Sequence, residues 1–219
     1  MAAPQDQVPA VAALQRKTME KNALLLFQKN ADAGKVKTRL ARSIGDEKAL
    51  AIYLHLVAYT YTQADPVPCK KHIYFSERLE ILQTPLTNST CHIQTGVDLG
   101  ERIKNAFREA FENKYERVII IGTDCPELKT THLTDAFGAL ETHDLVIGPA
   151  LDGGYYLLGM RTFTPELFDN ITWSTSGVFE QTKNTALQLG KTISLLEKLS
   201  DVDEVSDLPE SVKILFHIV

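Results

Sequence analysis

Lys35, Lys37 and Arg39 stand in the stretch GKVKTRL, residues 34–40, soon after the apolar run ALLLFQ at 23–28. They alternate with Val36 and Thr38, so an extended segment would carry all three cations on one side. Arginine offers a planar fork of donors to a phosphate, and lysine a point charge. A turn after a strand also aims backbone N–H groups at one point. The grouping suits phosphate oxygens; a solvated basic loop is the other reading. Neither GxxxxGK[ST] nor GxGxxG occurs at this loop.

The acids that could oppose such a loop lie far away in sequence. Asp124 follows the charge-free run VIIIG at 118–122 and precedes Cys125 and Pro126. Core packing gives no reason for an acid there. An Asx-turn would, and so would a Mg²⁺ ligand, because hard cations on phosphates take carboxylate oxygens. Asp201 and Asp203 in DVDEVSDL (201–208) offer a second carboxylate, or else a solvated acidic turn. Asp152, Gly153, Gly154 and Tyr155 in LDGGYY form either a hairpin turn or a place of close backbone approach. Trp173, Ser174 and Thr175 hold the single tryptophan in a polar loop, to stack on a ring or to anchor the turn.

These residues need a scaffold. The runs at 23–28, 72–76, 91–94, 118–122, 145–148, 155–160 and 192–196 read as strands. Helical spacing covers 44–63, 98–114, 131–141 and 178–189, with Asp98 and Glu101 placed as a capping box. Strands alternate with helices along the chain, which predicts an α/β layered domain with a mostly parallel sheet. Sheets of this kind bind ligands at the carboxyl ends of their strands, and each motif above follows a strand. One domain is expected over 23–219. Residues 1–22, rich in Ala, Gln and Pro, read as a disordered extension, an expression remnant or a mis-set start, with Met19 as an alternative start.

Composition narrows the classes. A chain of 219 residues with net charge −5 does not offer the broad basic face that nucleic acid needs. No apolar run reaches the roughly 18–20 residues of a membrane helix. Cys69, Cys91 and Cys125 show no CxxC or zinc spacing and read as reduced thiols of a cytoplasmic protein. The oligomeric state is open.

The blocks FQKNADAGKVKTRLA, QTGVDLGERI, IIIGTDCPEL, GPALDGGYYLLGM, ITWSTSGV and DVDEVSDL, in this order, resemble the bacterial family of glycosyltransferase-like enzymes called radical SAM/selenodomain-associated transferase 1. The resemblance spans about residues 23–208. It implies a GT-A, nucleotide-diphospho-sugar transferase-like fold, a three-layer α/β/α sandwich around a mixed, mainly parallel sheet. It relates the chain to nucleotidyltransferases that act on the molybdenum cofactor or on phospholactate. It implies nucleotide binding by Phe27, Lys29, Gly34, Lys35, Lys37, Thr38 and Arg39, joined by Asp98 and Arg102. It implies Asp124 and Asp203 as ligands of Mg²⁺ or Mn²⁺. The acceptor side would hold Asp152, Gly153, Gly154 and Tyr155, with Trp173, Ser174 and Thr175. Two positions depart from the family pattern. Ala31 stands where Pro is common, and Glu204 and Val205 replace a Thr-Pro pair.

Two reactions fit these residues. In nucleotidyl transfer, a phosphorylated small molecule attacks the α-phosphorus of a nucleoside triphosphate. Lys35, Lys37 and Arg39 then neutralise the departing pyrophosphate, and an ionised nucleophile needs no base. In glycosyl transfer from a nucleotide-sugar, an acceptor hydroxyl needs a base, for which Asp152 is the candidate. The cationic loop favours the first. A nucleotide-binding module without catalysis ranks last, because both the loop and Asp124 are in place.

Overall fold

The computed structural model describes residues 21–82 and 85–218. The extension expected over 1–22 lies outside the described residues except for Lys21 and Asn22, and Asn22 already opens the first strand. The strands are β1 (Asn22–Gln28), β2 (Lys70–Phe75), β3 (Ser89–Ile93), β4 (Arg117–Ile121), β5 (Leu145–Pro149), β6 (Tyr155–Met160) and β7 (Ile193–Leu195). They form one sheet of order β3-β2-β1-β4-β6-β5-β7. Strand β6 runs antiparallel to both β4 and β5, and the other pairings are parallel. The fold is therefore the expected three-layer GT-A-like arrangement with a mixed, mainly parallel sheet. Among the described residues, no helix is long and apolar enough to cross a membrane.

Alternation along the strands builds two cores. Leu24 and Leu26 of β1 face one side, together with Ile73, Phe75, Ile119 and Ile121. Helices α2 (Asp46–Ala64) and α4 (Thr130–Ala139) cover that side with Tyr53, Val57, Tyr61, Leu133 and Phe137. Ala23 and Leu25 face the other side, with Val118, Ile120, Leu145, Ile147 and Leu158. Helices α3 (Leu99–Glu112) and α5 (Val178–Gln188) cover it with Ile103, Ala106, Phe107 and Ala186. Strands buried on both faces read as continuous apolar runs, which is why ALLLF and VIII stand out in the sequence.

A third apolar cluster positions the site. Leu40 and Ala41 of α1 (Thr38–Ile44) and Ala49, Ile52 and Leu56 of α2 pack against Val202, Leu208 and Val212. The last of these belongs to α6 (Glu210–Leu215). The chain end is thereby clamped beside the loop that follows β1. The backbone N–H of Val202 donates to the carbonyl of Asp124 at 3.0 Å, joining the late acidic segment to the turn after β4.

Candidate active site

The loop after β1 does not run extended. It turns through residues 33–37 and enters α1 at Thr38. Lys37 holds the helix N-cap in the left-handed region, φ 45° and ψ 47°. The expected one-sided row of cations is therefore broken. Lys35 points outward to Asp32 at 3.4 Å and Glu77 at 3.5 Å. Arg78 binds Asp32 with both terminal nitrogens, at 2.9 and 2.6 Å, and this bond, foremost among its neighbours, holds the Asp32 carboxyl down at about 2. Buried Asn30 accepts from the backbone N–H groups of Glu77 and Arg78 and donates to the Arg78 carbonyl and to Glu80. Lys35 thus belongs to a lattice that ties the loop after β1 to the loop after β2.

Lys37 turns the opposite way. Its side chain is 7% exposed, and its ammonium lies 3.0 Å from Asp124 Oδ2 and 3.7 Å from Asp203 Oδ1. It also donates to the Val202 carbonyl. Arg39 reaches Asp203 Oδ2 at 3.3 Å from the other side. Two acids 79 positions apart therefore converge on one ammonium, through the parallel strands and the third apolar cluster.

These groups border a cleft of about 790 Å³ at the carboxyl ends of β1, β2, β3 and β4. Of the residues expected from the sequence, Phe27, Lys29, Lys37, Thr38, Arg39, Arg102, Asp124 and Asp203 line it. So do Asp152, Gly154, Tyr155, Trp173, Ser174 and Thr175. Gly34, Lys35, Asp98 and Gly153 do not. Asp98 is the N-cap of α3 and accepts from the Glu101 N–H at 2.8 Å, so its carboxylate is committed to the helix. The return arm of the expected capping box reaches one residue further back, past the N-cap, since Glu101 accepts from Val97 N–H. Gly153, at φ +91°, supports the wall from behind. A Cβ there would come within 2.1 Å of the Ser176 carbonyl oxygen, so the turn and the 173–176 loop pack backbone on backbone.

Trp173 anchors that loop. Its indole covers Gly100 on the first turn of α3, where a Cβ would lie 2.1 Å from Nε1, and it stacks on Phe168 with centroids 6.5 Å apart. Asp152 accepts from the Gly154 N–H at 2.7 Å, closing its turn as an Asx motif while still bordering the cleft. Glu204, the additional acid next to Asp203, is not among the lining residues. Its N–H and that of Asp203 donate to Asp207, which closes a separate turn.

Several lining residues were not singled out from sequence. Gln28 and Gln94 end or follow β1 and β3; Gln94 donates to the carbonyls of Gln28 and Tyr74, which fixes the rim. A polar residue at the end of an apolar strand is the signal that could have marked Gln28; the polar strand before Gln94 gives none. Asp201, read from the sequence as the alternative to Asp203 for a second carboxylate, also lines the cleft. Burial, and then the charges of Asp124, Asp152 and Asp203, push its carboxyl up to about 6.

The donor chemistry suits a hard divalent cation. Asp124 and Asp203 are both partly exposed, and the cation between them is the Lys37 ammonium. Among the described residues, no group of three or more His, Cys, Asp or Glu is placed to hold a metal. A cation at this pair would complete its shell with water and phosphate oxygens, as Mg²⁺ commonly does.

A parallel sheet reversed at one inner strand, with a cleft at its carboxyl edge, defines the nucleotide-diphospho-sugar transferase class of fold. The chain belongs to the DUF2064 family, described as an uncharacterized protein conserved in bacteria, whose pattern matches residues 62–175. It is similar to a solved structure from Desulfovibrio desulfuricans G20, provisionally designated a nucleotide-diphospho-sugar transferase. Identity is 34%, the TM-score is 0.79, and 84% of this chain and 83% of that one are covered. It is 27% identical over 128 residues to the 2-phospho-L-lactate guanylyltransferase of Methanocaldococcus jannaschii. That match covers 58% of this chain and 55% of the other, so the chain spans about half the length of the curated relative it matches. In fold alone it is similar to the glucosyl-3-phosphoglycerate synthase of Mycobacterium tuberculosis, solved with Mn²⁺, UDP and glucosyl-3-phosphoglycerate. There identity is 12%, the TM-score is 0.51, and coverage is 92% of this chain and 77% of that one.

Proposed function

We propose that this protein is a metal-dependent nucleotidyltransferase that joins a nucleoside triphosphate to a phosphorylated small molecule. The observation that carries the reading is the convergence of Lys37 and Arg39 with Asp124 and Asp203 at one cleft. The similarity to a guanylyltransferase over 128 residues supports it.

In this reading the donor's phosphate chain lies along α1. The side chains of Lys37 and Arg39, which line the cleft, face it. Asp124 and Asp203 would hold a Mg²⁺ or Mn²⁺, which when bound supplies charge neutralisation to the donor phosphates. Lys29 and Arg102 line the same cleft and provide further cations for the donor or for the acceptor phosphate. An acceptor phosphate oxygen forms a bond to the α-phosphorus, the bond from that phosphorus to the bridging oxygen breaks, and pyrophosphate leaves with the electron pair. Lys37 and Arg39 are placed to neutralise it. The chain's contribution is position and fixed charge, with no proton to remove.

A second reading, glycosyl transfer from a nucleotide-sugar, is favoured by the opposite wall. Residues 150–178 contribute Asp152, Tyr155, Tyr156, Ser174, Thr175 and Ser176 to the cleft and no cation. Such a wall suits a hydroxyl acceptor, with Asp152 as base. Thermal unfolding with Mg²⁺ separates the two. A ligand at 100 times its Kd adds about 2.7 kcal/mol of stability. Stabilisation by one nucleoside triphosphate and not by UDP-, GDP- or dTDP-sugars supports nucleotidyl transfer. The reverse pattern replaces it with glycosyl transfer.

A further inference from the structure

The ammonium of Lys37 occupies the space between the two carboxylates that the proposed function assigns to a metal. It is 3.0 Å from one acid and 3.7 Å from the other. A divalent cation held by Asp124 and Asp203 would compete with this nitrogen for the same carboxylates. Two cations so close repel strongly in a partly desolvated site, so both cannot stay. The surroundings also hold Lys37 in place when nothing else is bound. Its side chain is 7% exposed, its third contact is the Val202 carbonyl, and its backbone takes a left-handed conformation that a residue with a Cβ seldom adopts. Conformations of that kind gather at switch positions.

We propose that Lys37 is the resident counter-ion of the metal site and gates it: a divalent cation enters only as Lys37 withdraws toward the donor phosphates. The inference rests on the reading of Asp124 and Asp203 as metal ligands. It adds an order of events. The free protein binds the cation weakly, because the site is already neutralised. A nucleotide's phosphate chain gives the displaced ammonium a new partner, so nucleotide and cation bind with positive coupling. Lys37 then serves in turn as guard of the empty site and as ligand of the phosphates. Arg39, at 3.3 Å from Asp203 and 65% exposed, can turn to phosphate while Lys37 still holds both acids, so it does not share the gating role.

The test is Mn²⁺ binding to the intact protein without nucleotide, followed by electron paramagnetic resonance of the free ion. The wild type is compared with Lys37→Met, which keeps much of the volume and removes the charge. The proposal expects Lys37→Met to bind Mn²⁺ at least about tenfold more tightly than wild type. In the presence of a nucleoside triphosphate that advantage should shrink, because the wild-type lysine has moved. If Lys37→Met fails to fold, Lys37→Gln makes the same comparison and retains a donor for the Val202 carbonyl. Equal Mn²⁺ affinity of wild type and variant without nucleotide overturns the gate and leaves the metal site standing. No Mn²⁺ binding by any form, with or without nucleotide, overturns the metal reading and the gate with it.

Discussion

Lys37 and Asp124 are 87 positions apart and meet at 3.0 Å, one capping the helix after β1 and the other following β4. Strands β1 and β4 are parallel neighbours, so their carboxyl ends lie side by side. The contact therefore follows from topology, and it separates Lys37 from the other cations of its loop.

That separation gives unequal expectations for three adjacent charges. Lys35 serves the Asp32–Arg78–Glu77 lattice outside the cleft. Lys35→Ala is expected to change nucleotide affinity by less than about threefold, the range of a surface ion pair. Arg39→Ala should weaken it by about tenfold to a hundredfold, the loss of a charge-assisted bond to phosphate. Fluorescence titration with a nucleotide analogue measures both. Equal effects would return Lys35 to the binding loop.

Gly100 tests the acceptor wall. In a helix Ala is favoured over Gly by about 1 kcal/mol. A Cβ at Gly100 would nevertheless sit 2.1 Å from the Trp173 indole nitrogen. Overpacking of this kind costs about 1–3 kcal/mol, so Gly100→Ala should displace Trp173 and loosen the 173–176 loop. The single tryptophan reports it directly as a red-shifted emission. The acceptor's KM should rise more than the donor's. Unchanged emission would mean that the indole does not rest on Gly100.

His72 predicts an acid-side loss of stability. Burial first, then the neighbouring His92 and Lys70, lower its pKa from 6.5 to about 4. Nδ1 is shared among His92 and Thr90, the Tyr115 ring packs edge-on, and Glu109 lies beyond His92. Nε2 is buried without a hydrogen-bond partner among the described residues. The fold therefore favours the neutral ring. The stabilisation is complete above pH 6.5 and is lost as pH falls from 6.5 through 4, amounting to about 3 kcal/mol at about 1.4 kcal/mol per unit. Urea unfolding of wild type and His72→Gln across this window should show the wild type losing more stability on acidification. Parallel profiles would remove His72 from the explanation.

Much of this arrangement was legible in the sequence, for physical reasons. ALLLF and VIII are apolar without interruption because both faces of β1 and β4 are covered. Asp124 stood out because an acid just past the end of an apolar strand has no packing role, and Asp203 because it belongs to an acidic segment that follows the last strand. Helix α1 was hidden because its seven residues follow a left-handed lysine that no local pattern announces. Read as extended, the same residues put Lys35 on the wrong side. Leu40, Ala41 and Ile44 ahead of Gly45 were the faint helical signal. The reversed direction of β6 was also hidden, since an apolar run carries no sense of direction. Gln28 and Gln94 were passed over because their value depends on neighbours from other strands.

Calorimetric titration of nucleoside triphosphates and nucleotide-sugars into wild type and Asp124→Asn, with Mg²⁺ and with chelator, tests the central claim most directly. The claim is that the cleft beside Lys37 binds a nucleotide's phosphates through a cation held by Asp124. It predicts that at least one nucleotide binds wild type with Mg²⁺ at least about tenfold more tightly than it binds either Asp124→Asn or the chelated wild type, the loss of a charge-assisted contact. Nucleotide binding of equal strength in all three would contradict it.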